Sequence, residues 1–126
     1  DADPFQVTED TKEMVMRNIC YLLNNFLRCT AYENIIFCWV MHEQSIINRI
    51  IKELDVSACR VINISLMTDE ANLRNRLSSD IARGIRTADV IDRSVERIRM
   101  YRLLDTVKID TSNKTVRELA DEILKL

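Results

Sequence analysis

Between Arg74 and Arg102 stand eight arginines, Arg74, Arg76, Arg83, Arg86, Arg93, Arg97, Arg99 and Arg102, while all five lysines lie elsewhere. Against Asp80, Asp89, Asp92 and Glu96 they leave four net positive charges, in a chain whose formal net charge is -2. A guanidinium fork takes two phosphate oxygens at once where an ammonium acts as a point charge, so choosing Arg over Lys suits recognition of a polyphosphate. Arg93, Arg97 and Tyr101 recur at steps of four and share one face of a helix, with Val95, Ile98 and Met100 on others. The plainer alternative is a solvated helix that pairs internally, Asp89 with Arg93 and Glu96 with Arg99. Two further features could carry chemistry. Asp1 and Asp3 are carboxylates two residues apart, oxygen ligands of the hard type that Mg2+ accepts. His42 follows an apolar run and could contact a substrate, with a helix-capping or surface role as its alternative.

Those residues need elements to hold them. Thr8 followed by Glu9 and Asp10 predicts a helix start, and Met14, Ile19, Leu22, Leu23 and Phe26 carry the pattern from about Glu9 to Cys29. The run NIIFCWV, Asn34 to Val40, is continuously apolar, β-branched and aromatic, and predicts a central strand buried on both faces. Ile46, Ile47, Ile50, Ile51 and Leu54 then recur at helical steps over about Glu43–Asp55. CRVINISL, Cys59 to Leu66, predicts a second strand. Thr68 caps a helix ended by Gly84, and Thr87 caps another running to about Leu104. A short strand over Thr106–Ile109, the loop DTSNK, and a capping box at Thr115 with Glu118 complete the chain. Helix and strand alternate through most of this order, which predicts an α/β domain with a parallel sheet.

Composition narrows the classes. The chain has 126 residues, 47% hydrophobic and 30% charged, enough for one domain with one core and unlike a disordered or fibrous sequence. No apolar run approaches the roughly 20 residues of a membrane helix, and the acidic start DADPFQVTED is unlike a signal peptide, so the expectation is a soluble, cytoplasmic protein without a membrane partner. Cys20, Cys29, Cys38 and Cys59 are widely spaced without a CxxC pair, and read as buried reduced thiols rather than a zinc site or disulfide framework. A single glycine, Gly84, and a single proline, Pro4, leave no glycine-rich loop to cradle phosphates. The chain also opens on Asp1 rather than Met, so an upstream segment is expected.

With Arg76-Leu77 after CRVINISL, the arginines around Gly84, and the series Arg97, Tyr101, Asp105 before TVKIDT, the sequence resembles the P-loop small-molecule kinases such as shikimate, gluconate and adenylate kinases. The resemblance covers nearly the whole chain, beginning after the family's first βα unit. It implies a three-layer α/β/α fold with a parallel sheet, lacking that first unit here, with a core over residues 1–68 and 105–126 and an Arg-rich lid over about 69–104. It implies that Arg76 and the loop Asp110-Thr111-Ser112 border the adenine of ATP, and that Arg83 and Arg86 close on the transferring phosphate; in a kinase Arg93 and Arg97 would complete that electrostatic clamp. Arg97, with Tyr101, would bind an anionic acceptor or a phosphate, and His42, at the carboxyl end of the expected central strand, could contact the substrate. Asp1-Ala2-Asp3 resembles the family's DxD, with Asp1 helping to hold Mg2+ and Asp3 orienting the acceptor hydroxyl. Asp80 stands where the family has a second arginine, and Arg99 where shikimate kinases have a proline.

The function this implies is ATP-dependent phosphoryl transfer to a small-molecule acceptor, with the phosphate loop supplied upstream or by another chain that completes the sheet. The competing expectation is a non-enzymatic module whose arginines hold RNA or another polyanion. Tyr101 is the one aromatic residue of the Arg-rich stretch, where nucleic-acid readers add several for stacking, and that weighs against nucleic acid.

Overall fold

The computed structural model describes residues 7–126, in the order α1 (Glu9–Arg28), α2 (Gln44–Glu53), β1 (Ile64–Met67), α3 (Glu70–Ala82), α4 (Val90–Leu103), β2 (Val107–Asp110) and α5 (Val116–Leu124). The molecule is mixed α/β and mostly helical, and it divides into two compact units. Among the described residues, one holds 7–41 and Ser45–Arg60; the other holds His42–Gln44 and Val61–Leu126.

The first unit is built on α1. The Thr8 hydroxyl accepts the Thr11 N–H at 3.2 Å while the Thr11 hydroxyl accepts the Thr8 N–H at 2.8 Å, a reciprocal cap that satisfies donors the helix itself cannot. Met16, Cys20 and Leu23, spaced by four and three, bury one stripe with Ile50 of α2, and Ile19, Phe37, Met41, Ile46 and Leu54 pack around them. Asn24 ties off the end of α2: its Nδ2 donates to the Glu53 carbonyl at 3.0 Å and its Oδ1 accepts the Asp55 N–H at 2.9 Å. Arg49 reaches Glu13 at 2.6 Å, and this bond holds the Glu13 carboxyl below its ordinary range. Both side chains are close to half exposed, so the pair adds little stability.

The second unit holds the sheet, β1 beside β2 in parallel, with Ile64 opposite Val107 and Met67 opposite Asp110. The ladder is extended by the Val107 N–H to the Asn63 carbonyl at 2.9 Å and the Thr111 N–H to the Met67 carbonyl at 2.7 Å. Buried Ser65 shares a 2.7 Å hydrogen bond with Thr106 across the strands. Helices α3 and α4 pack together, α4 also lies against β1, and Leu77, Val90, Leu104 and Ile109 are buried.

Helix ends agree with expectation where capping is local. Glu118 and Thr115 form the predicted box, with the Thr115 N–H on Oε2 at 2.7 Å. Gly84, at φ +71°, ends α3: its N–H reaches the Ile81 carbonyl at 2.9 Å and the Ile85 N–H reaches the Asp80 carbonyl at 2.9 Å. A Cβ at Gly84 would meet nothing within 4 Å, so Gly84→Ala is opposed by backbone conformation alone. Its expected effect is a loss of about 1 kcal/mol, read as a lowered urea midpoint with unchanged m-value.

Five expectations are corrected. Residues 34–40 belong to no helix or strand, and Ile36 is 89% exposed. An apolar run becomes a central strand only where neighbours take up its backbone groups and cover both faces, and no described residue does so. The strand expected over Cys59–Leu66 is confined to Ile64–Met67, where β2 offers a partner. Cys29, Cys38 and Cys59 are exposed; Cys20 is buried, which pushes its thiol up, and all four are free. Asp69, not Thr68, caps α3, and Thr87 caps nothing with its side chain, its hydroxyl donating instead to the Asp89 carboxylate. No helix among the described residues is long and apolar enough to cross a membrane.

Candidate functional site

Because β1 and β2 are parallel, both chains leave the sheet at the same end. After β1 the chain turns through Thr68 into the cap of α3; after β2 it turns through Thr111 and Ser112 toward α5. In open α/β sheets the crevice beyond the carboxyl ends of the strands is where ligands bind.

Four residues expected around a nucleotide base meet here. Arg76, two turns into α3, sends Nη1 to the Thr111 hydroxyl at 3.0 Å and Nη2 to the Thr111 carbonyl at 2.7 Å. The fork therefore clamps α3 to the loop after β2. Asp110 closes a tight turn, its Oδ1 accepting the Ser112 N–H at 3.0 Å and the Ser112 hydroxyl at 2.7 Å. These two bonds hold the Asp110 carboxyl below its ordinary range. The Ser112 oxygen in turn accepts the Asp69 N–H at 3.2 Å and lies 3.4 Å from the Thr68 hydroxyl. Asp69 is held low by the Asn72 N–H and amide, at 2.8 and 2.6 Å. Thr68 and Asp69 are the site residues that sequence reasoning missed, having assigned the stretch to capping alone. The signal was the position of Thr68 and Asp69, immediately beyond the end of a strand.

The arginines expected to form a lid stand on α3, α4 and the turn between them. Arg83 is exposed at the end of α3 and forms no ion pair with any described residue. Arg86 lies 3.2 Å from Asp80, and Arg93 lies 3.8 Å from Asp89, the intrahelical pair expected as the plainer alternative. Arg74 bridges Glu70 at 2.8 Å and Asp92 at 3.8 Å, which links the two helices. Arg97 and Tyr101, one turn apart on α4, are half-buried, and Arg97 has no ion pair among the described residues. The expected pairing of Arg99 with Glu96 does not form.

His42 sits apart from these groups. Its Nε2 is 3.6 Å from the Glu43 carboxylate and its Nδ1 is buried without a hydrogen-bond partner among the described residues. The Gln44 side chain accepts the Asp105 N–H at 2.8 Å. Asp1 and Asp3 lie outside the described residues. Among the described residues no group of three or more His, Cys, Asp or Glu could hold a metal ion. Comparison with protein-family models, with curated proteins and with solved structures finds no match.

Proposed function

We propose that this chain is the nucleotide-base and lid portion of an ATP-dependent phosphotransferase of the P-loop kinase type, with the phosphate loop supplied by residues outside this sequence. The observation that carries the reading is the Arg76 clamp on Thr111, which joins the two segments expected to border adenine, at the carboxyl end of a parallel strand pair.

The remaining chemistry fits phosphoryl transfer, in which a protein mainly positions groups and stabilises charge. Arg76 spends two of its five N–H donors on Thr111 and keeps three, together with its planar face, for a ligand. Arg83 and Arg97 are cations without an acid partner among the described residues, and Arg86 and Arg93 are held only by exposed pairs that an anionic ligand can displace. ATP is the phosphoryl donor in this reading and a small hydroxylated molecule the acceptor. Mg2+ would be held by Asp1, with Asp3 at the acceptor. The full three-layer sheet belongs to this proposal, with a further strand beside β1.

Titration of ADP into the chain, followed by amide signals, tests the reading. The expected result is weak saturable binding, with a Kd of about 1 mM because the phosphate loop is absent, that moves the signals of Arg76 and Asp110–Ser112. No ATP turnover is expected from the chain by itself. If ADP moves none of these signals while a single-stranded RNA oligomer binds in a salt-dependent way, the polyanion-binding alternative replaces the kinase.

A further inference from the structure

We infer that Ser112 is a positioning residue of this nucleotide site and makes no contact with the nucleotide itself. The inference rests on the reading above and changes the direct role that the resemblance implies for Ser112.

A serine hydroxyl has one hydrogen and two lone pairs. At Ser112 all three are used within the protein. The hydrogen goes to Asp110 Oδ1 at 2.7 Å, an ionised acceptor that takes it in preference to a neutral one. One lone pair accepts the Asp69 N–H at 3.2 Å. With the hydrogen committed, the Thr68 hydroxyl at 3.4 Å must be the donor in that weaker contact, and it fills the second lone pair. Nothing remains for a ligand.

What the saturated hydroxyl does is join two turns that no backbone hydrogen bond joins past Thr111. The ladder between β1 and β2 ends with the Thr111 N–H on the Met67 carbonyl, and the next links are those of Ser112. Thr111 is equally committed: its N–H is on Met67, its carbonyl and hydroxyl are on Arg76, and the residue is buried. The loop is therefore held from both sides, by Arg76 of α3 through Thr111 and by the start of α3 through Ser112. Groups left to meet a base are the second oxygen of Asp110, the spare donors of Arg76 and the backbone beyond Ser112. A loop ordered before binding spends no binding free energy on being ordered, so losing the Ser112 links should weaken affinity without altering the contacting atoms.

The test repeats the ADP titration with Ser112→Ala and Ser112→Thr and adds amide hydrogen exchange at Asp69. Ser112→Ala should weaken ADP binding about tenfold and speed exchange at the Asp69 amide, since that N–H loses its acceptor. Ser112→Thr, which keeps the hydroxyl, should restore both. Should Ser112→Ala fail to fold, Ser112→Cys keeps the shape of the side chain while weakening its hydrogen bonds, and should weaken ADP binding and speed exchange at the Asp69 amide in the same direction. Equal ADP affinity in wild type and Ser112→Ala overturns the positioning role and leaves the kinase reading standing. Lost affinity that Ser112→Thr does not restore overturns it too. Absence of ADP binding in the wild type overturns the kinase reading, and the positioning role falls with it.

Discussion

In a protein that joins this chain to a phosphate-binding loop, Arg97→Ala lowers kcat about a hundredfold, the usual scale for a charged contact made mainly in the transition state. The melting midpoint should fall by no more than a few degrees. The basis is a contrast among the arginines. Arg74, Arg86 and Arg93 each have a carboxylate within 4 Å, and Arg76 is spent in part on Thr111. Arg97 is half-buried on α4 and has no carboxylate partner among the described residues. A guanidinium partly withdrawn from water and left unpaired is poorly solvated in the free protein, so it gains more from an incoming anion than an exposed one does. Arg99 is exposed two residues away, and Arg99→Ala should leave kcat within about twofold, as surface substitutions usually do. Arg97→Lys separates charge from geometry, since it keeps the cation and loses the fork; an intermediate kcat is expected. An unchanged kcat in Arg97→Ala removes this residue from the reaction.

The helices were legible in the sequence because their signals are local. Thr8 and Thr115 bond within three residues of themselves, Gly84 closes α3 with its own last carbonyls, and the apolar spacing of α1 needs no knowledge of its neighbour. Strands are different, since a strand exists only where another lies beside it. Ile64–Met67 and Val107–Asp110 have each other; residues 34–40 have the stronger composition for a strand and no partner among the described residues. The site followed the same division. That Arg76 and Asp110–Ser112 meet could be expected only through the resemblance, because 35 residues separate Arg76 from Thr111 and no spacing rule spans them. The saturation of Ser112 depends on Asp69 and Thr68, which lie more than 40 residues away, and no local pattern signals it.

Ile36 shows what a strand partner is worth. In this chain it is 89% exposed, so Ile36→Asp removes almost no buried contact, and stability to urea should stay within about 0.5 kcal/mol of wild type. Solubility should rise, because the change places a charge in the middle of an uncharged apolar run that also exposes Trp39 and Val40 and lies near exposed Tyr32. In a protein whose sheet is completed, the proposed fold makes residues 34–40 a central strand covered on both faces. Ile36→Asp there buries a carboxylate without a partner and should cost about 4 kcal/mol or more, enough to unfold a domain of ordinary stability. The pair of measurements separates the two states of one segment. A large loss in this chain alone would show that residues 34–40 already lie in a packed sheet. A small effect in the longer protein would show that no strand ever covers them, and the three-layer kinase fold would then lose its centre.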